Sequence, residues 1–163
     1  MIRCGYSYRI DGTDRRCSRP VVDGEGRCGF HLTPAERDDA GVTATDLRSA
    51  VIDDLDADDP TRREYVDARL DGLDLSELVV DGSDLDPLAF RDVTVDGTLD
   101  LSGSVFRHPL TVAECQIGRL DISDTTFDRD VTVEGSEFGT ASEGATCLRA
   151  RRASFERTLR IAD

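Results

Sequence analysis

Cys4, Cys17, Cys28 and His31 are the residues whose types and spacing could do chemistry in this chain. They form a Cys-x12-Cys-x10-Cys-x2-His set. Three thiolates and an imidazole make a tetrahedral ligand set for zinc. The closing Cys-x2-His pair is the strongest local element, because two ligands so close can share a knuckle. Residues 1–32 also need a staple, since they carry no periodic apolar pattern able to build a core. Zinc supplies one, because metal-binding energy becomes folding energy in such a segment. Six arginines (3, 9, 15, 16, 19, 27) against four acids give this stretch a net +2, and nearby cations relieve the negative charge of three thiolates around one zinc. Four protein ligands leave no open position, so the predicted role is structural. Cys115 and Cys147 stand outside the set. Cys115 is expected to be a small core residue, and His108, beside Pro109, is expected to face solvent at a corner.

Three regions must position this set: a metal-binding module (1–32), short helices and linker (33–67), and a repeat (68–163). In the second region Thr33-Pro34-Ala35-Glu36 has the form of a capping box with proline at the first helical position. Thr45 is predicted to cap a second helix through about Ala57, with Leu47, Val51 and Leu55 on one face. That stripe is expected to seal the N-terminal end of the repeat. Thr61-Arg62-Arg63-Glu64 reads as a further capping box leading into Tyr65 and Val66.

From Ala68–Leu70 onward, a small or apolar residue sits two positions before a second apolar one, and the pairs recur every five or six residues. Neither a helix nor a flat strand has that period. A coil that turns a corner every five residues does. Gly97, Leu99, Asp100, Ser102, Phe106, Thr111 and Val112 recur at Gly118, Leu120, Asp121, Ser123, Phe127, Thr132 and Val133, a 21-residue period. Stacking coils on that period predicts four inward columns: Leu85–Phe106–Phe127–Phe155, Leu70–Phe90–Val112–Val133–Ile161, Leu75–Val95–Ile117–Phe138 and Val80–Leu101–Ile122–Ala150. The seven residues beyond one period between Phe127 and Phe155 are assigned to a loop expelled within Gly139–Cys147. A β-sandwich would need hairpin signals. The chain has no Asn-Gly, and its Asp-Gly pairs do not fall between matched alternating runs.

Ala68-Arg-Leu70-Asp-Gly and Leu73-Asp-Leu75-Ser-Glu resemble the pentapeptide-repeat proteins. The resemblance covers about 95 residues. It implies a mainly β fold, a right-handed quadrilateral β-helix of about four coils. Leu, Val, Ser or Thr often stand where that family favours Ala, and the six-residue steps depart from a strict five.

The composition narrows function by exclusion. The chain of 163 residues has a net charge of −14, and all 20 of its basic residues are arginine. An acidic, lysine-free chain suits a salt-rich cytosol, where ionic strength screens carboxylate repulsion. No run reaches the ~18 apolar residues of a membrane span, and the first residues do not resemble a signal peptide. A cytoplasmic protein is expected, with its cysteines read as ligands or buried thiols. No phosphate-binding glycine loop occurs, and Asp100 and Asp121 read as a solvated face. The expected function is a non-enzymatic protein-protein interaction scaffold. The family resemblance also implies an alternative, mimicry of DNA by an acidic rod that regulates a nucleic-acid enzyme such as gyrase. A third reading is nucleic-acid binding by the arginine-bearing finger, which the acidic body opposes. The last coil, ending at Ile161-Ala162-Asp163 with no capping helix after it, is expected either to pair two chains as a homodimer or to belong to the front portion of a longer protein.

Overall fold

A computed structural model describes residues 2–81, 86–139 and 146–163. The chain is mainly β. Parallel ladders build a β-solenoid of about three turns, preceded by two α-helices and the Cys/His segment. Each turn of the chain adds a strand to each of three parallel sheets. One holds Glu64–Val66, Leu88–Arg91, Leu110–Ala113, Val131–Glu134 and Leu159–Ala162. The second is built on Thr94–Asp100 and Gln116–Asp121, and the third on Val105–Phe106 and Thr126–Phe127. The backbone of each turn is therefore satisfied by the turns beside it.

The inward side chains form columns, and beyond Phe90 their register is the expected one, but Ala150 and Ile161 of the last turn, expected inward, are exposed. Phe106 and Phe127 stack with ring centroids 5.5 Å apart, and Phe127 and Phe155 at 5.1 Å. Before Phe90 the expected register is one face out. Tyr65, not Leu70, pairs with Phe90. Leu70 pairs with Val95, Leu73 with Leu99, and Val80 with Phe106. The solenoid thus begins at Glu64–Val66, upstream of Ala68. The cause lies in the step from Val80 to Phe90, ten residues where the next turns take six from Phe106 to Val112 and from Phe127 to Val133. An insertion close to one period is invisible to a pattern with that period, so Ser83–Leu85 reads as a face. Residues 82–85 lie outside the described residues, as do residues 140–145 of the expected loop. The register across the second gap is as expected, with Val131 opposite Leu159 and Phe127 opposite Phe155.

Two corners of each turn carry a left-handed residue. Asp67, Asp92, Glu114 and Gly135 occupy one, with φ between 53° and 56°. Glu77, Gly103, Asp124 and Arg152 occupy the other, with φ between 55° and 69°. The second corner is held by a repeated Asp-x-Ser unit. Oδ1 of Asp74, Asp100 and Asp121 accepts from the backbone N–H of Ser76, Ser102 and Ser123 at 2.9, 2.9 and 3.0 Å. Asp100 and Asp121 are therefore turn caps. Buried Ser104 and Thr125 donate their hydroxyls to the carbonyls of Leu75 and Leu101, both at 2.8 Å. Cys115 occupies an equivalent place, its thiol donating to the carbonyl of Ala113 at 3.2 Å.

Several local expectations change. Thr43, not Thr45, caps the second helix, α2 (Ala44–Leu55), in a reciprocal box with Asp46. An aspartate at that position is a weaker signal than the Glu or Gln of the usual box. Helix α1 (Pro34–Ala40) starts at Thr33 as expected. Asp59 caps the short 3-10 turn Pro60–Arg63, and the following residues are strand rather than helix because Tyr65 stacks on Phe90 at 5.3 Å. Asp11-Gly12, both at positive φ, closes a hairpin between Ser7–Ile10 and Thr13–Arg16. Its strands are polar and lack alternation, so only the turn chemistry announces it. His108 is 2 % exposed rather than solvent-facing, with Nδ1 and Nε2 at 3.3 and 3.2 Å from the carbonyls of Asp86 and Asp81. Those carbonyls flank the insertion that the periodic pattern hides. Among the described residues no helix is long and apolar enough to cross a membrane.

Two substitutions, each with its control, test this architecture. Phe127→Ala should cost ~3–5 kcal/mol in chemical denaturation, while Ile161→Ala, at a position 69 % exposed, stays within ~0.5 kcal/mol. Gly118→Ala should cost ~1–3 kcal/mol, because a Cβ there would meet the carbonyl oxygens of Asp96 and Gly97 at 2.5 and 2.8 Å. Gly26→Ala, with open space around it, is the matched control.

Candidate metal centre

The hairpin explains the long first spacing. Cys4 precedes its first strand and Cys17 follows its second, so pairing the strands brings both to one end. The N–H of Cys17 donates to the carbonyl of Tyr6 at 3.0 Å, and that of Cys4 to the carbonyl of Arg19 at 2.9 Å. A tight turn, with Val22 N–H donating to the carbonyl of Arg27 at 3.0 Å, returns the chain to Cys28. The 3-10 helix Gly29–His31 then folds the imidazole back over the Cys28 sulfur.

The result is a buried cluster. The sulfurs of Cys4, Cys17 and Cys28 and a ring nitrogen of His31 all lie within 4.8 Å of one another. Nδ1 of His31 is 3.5 Å from the Cys4 sulfur and 3.3 Å from that of Cys28. The Cys17 and Cys28 sulfurs are 3.7 Å apart. Nε2 faces the Val66 carbonyl at 3.0 Å, which makes it the protonated nitrogen and leaves the Nδ1 lone pair for the cluster. These four residues could bind a metal. The chemistry of the donors fits one. Hydrogen bonding from Cys28 pulls the Cys17 thiol far below its ordinary range. Cys28 is pushed far up by its contact with Cys17 and by burial. Three buried sulfurs cannot all ionise unless a cation joins them.

Sequence reasoning found all four candidates and missed what surrounds them. Of the six arginines of the segment, Arg19 is the one that reaches a ligand sulfur among the described residues, 3.8 Å from Cys17. It is 4 % exposed. Its Nε donates to Asp54 of α2 at 2.6 Å, and its Nη2 donates to the carbonyls of Arg62 and of Glu64. Its guanidinium lies 4.1 Å from the Tyr65 ring centroid and 5.2 Å from that of Phe30. Tyr65 donates to the same Asp54 at 2.9 Å, and Arg62 pairs with that carboxylate at 2.6 Å. An arginine and an aspartate far apart in sequence gave no signal of this pairing. Arg15 pairs with Glu64 and Arg9 with Asp14, so these cations serve the fold locally. Tyr6 stacks on His31 at 4.0 Å and donates to Asp67.

The tyrosines should report this packing in alkali. Burial, then the bond to Asp67, pushes the Tyr6 hydroxyl up to about 12, and burial raises Tyr65 well above its ordinary value. A raised value stabilises the fold fully below the unfolded value of ~10, and that stability is lost as pH rises through the folded one. Tyrosinate absorbance should therefore lag behind that of free tyrosine, with Tyr65 titrating only as the chain unfolds. Ordinary titration of all three tyrosines in the folded chain would contradict the packing.

No family model matches this chain, and comparison with curated proteins and with solved structures gives no match either.

Proposed function

We propose that Cys4, Cys17, Cys28 and His31 hold one structural zinc, and that the chain is a non-enzymatic protein-protein interaction scaffold of the pentapeptide-repeat kind. The observation that carries the metal is the gathering of four buried donor atoms within 4.8 Å. Zinc bonds of ~2.3 Å to sulfur and ~2.0 Å to nitrogen imply tetrahedral edges of ~3.5–3.8 Å. Three of the six separations, 3.3, 3.5 and 3.7 Å, lie at or near these values, and all six are within 4.8 Å. Zinc would supply charge and cross-linking, and the protein would supply the His31–Val66 bond and the Arg19 cation around it. The reduced ligand set suits a cytoplasmic location.

The four inward columns support a four-sided cross-section, which the family resemblance makes right-handed. The scaffold reading rests on how the surface acids are used. Asp74, Asp100 and Asp121 cap corners, while Asp81 and Asp128 both pair with Arg107 across turns. Exposed Asp67, Asp92 and Glu114 mark a different corner from exposed Glu77 and Asp124. Acids spread over several corners fit salt adaptation better than one DNA-like stripe. The pairing of Arg9, Arg15 and Arg19 with acids of the same chain weighs against a nucleic-acid finger. Exposed Leu159 and Ile161 would suit an end-to-end homodimer, but the arginines of that turn would then face one another.

Elemental analysis should find one zinc per chain. Cys28→Ser should lose it and melt at lower temperature, while Cys147→Ser should keep it. Metal-free protein with five freely titrating thiols would overturn the zinc reading. A gyrase supercoiling assay separates scaffold from mimic. No inhibition is expected, and inhibition at stoichiometric protein would reverse the order of the two.

A further inference from the structure

The last turn breaks the rule of its own corner. Asp74-Leu75-Ser76, Asp100-Leu101-Ser102 and Asp121-Ile122-Ser123 are followed there by Arg149-Ala150-Arg151. The turn cap is lost, and the left-handed position held by Glu77, Gly103 and Asp124 in earlier turns passes to Arg152 at φ 55°. Loss of the cap weakens the corner locally. In exchange Arg149 and Arg152 pair with Asp121 and Asp124 of the turn before, but Arg151, in the place of the serine, gains no such pair, which marks the corner as under another demand.

Charge shows which demand. From Thr146 to Asp163 there are five arginines against Glu156 and Asp163, a net +3 on a chain of −14. The three corner arginines line a groove of about 900 Å3 together with Leu148, Ser102, Ser123 and the two acids Asp121 and Asp124, so the arginines are in excess by one. Leu148 is 46 % exposed. Arg107 shows what a satisfied flank arginine does here, lying between Asp81 of the turn before and Asp128 of the turn after. Arg149 and Arg152 pair with acids of the turn before, Asp121 at 3.9 Å and Asp124 at 2.7 Å. The exposed Arg151 guanidinium has no partner among the described residues.

We propose that this arginine corner docks an acidic segment of a protein partner, with carboxylates on Arg149, Arg151 and Arg152 and an aliphatic side chain against Leu148. The proposal deepens the scaffold reading and rests on it in taking the partner to be a protein. A short acidic segment satisfies the corner and goes no further. A nucleic-acid strand running on along the solenoid would add Asp100 and Asp74 of the turns before to the two acids already in the groove. A second copy meeting this face by a two-fold axis would bring arginine against arginine.

The full chain can be titrated into a fluorescein-labelled dodecapeptide rich in Asp and Glu with one central leucine, followed by anisotropy. Binding should weaken by about tenfold between ~0.15 M and ~1 M salt. The variant Arg149→Asp, Arg151→Ser, Arg152→Gly copies the corner Asp100–Gly103, so it should melt no lower than the parent. It should bind the peptide at least about tenfold more weakly. Arg151→Ser alone should give a several-fold loss. A parent chain that leaves the peptide free overturns the proposal, as does a triple variant that melts normally and binds undiminished. Tighter binding of labelled oligothymidylate than of the peptide overturns it in favour of nucleic acid. A dimer in sedimentation that the triple variant abolishes overturns it in favour of a second copy. The scaffold reading is judged separately, by the supercoiling assay.

Discussion

The open first turn of the solenoid is the constraint on which the rest of the structure depends. Its strand Glu64–Val66 presents the Tyr65 ring at the head of a column that continues through Phe90. An uncovered β edge and an uncovered aromatic column both invite association. Phe30, His31 and helix α2, upstream of residue 64, cover them. Phe30 meets the Tyr65 ring edge-on at 4.8 Å. Leu47, Val51 and Leu55 of α2 are buried in the same apolar cluster. His31 joins the Val66 carbonyl, tying the candidate metal ligands to the first solenoid strand.

Covering that end buries a charge. Arg19 cannot leave water without partners, and it has them: Asp54, two backbone carbonyls and two aromatic faces. Asp54 in turn is shared by Arg19, Arg62 and Tyr65. Such a network adds little net stability over an apolar substitute, because desolvation offsets the attraction. It does fix orientation. Only one placement of the hairpin on α2 satisfies all the partners at once, so the four donors near Cys17 arrive in one arrangement.

Along the solenoid, acidic residues are structural before they are electrostatic. The Asp-x-Ser corners and the left-handed aspartates show why an acidic, asparagine-free chain can still turn so often. Aspartate caps its own backbone and tolerates positive φ better than most residues. Arginine then bridges turns, as Arg107 does. The same chemistry makes the arginine corner of the last turn conspicuous, since it supplies cations where earlier turns supply caps.

The sequence by itself determined the candidate ligands and the columns beyond Phe90. Cys4, Cys17, Cys28 and His31 stand out because thiols and imidazoles are rare and have few other uses in a polar segment. Phe106, Phe127 and Phe155 stand out because inward residues must repeat with the coil. The tertiary structure alone decided the register before Phe90, because a periodic pattern cannot reveal an insertion of about its own period. It alone buried His108, against carbonyls that flank the insertion. And it alone joined Arg19 to Asp54 and His31 to Val66. Those contacts link residues 35 apart in the chain through one ion pair and one backbone carbonyl. Neither a salt bridge nor a carbonyl acceptor leaves any periodic trace in a sequence, so only the folded chain shows which partners meet.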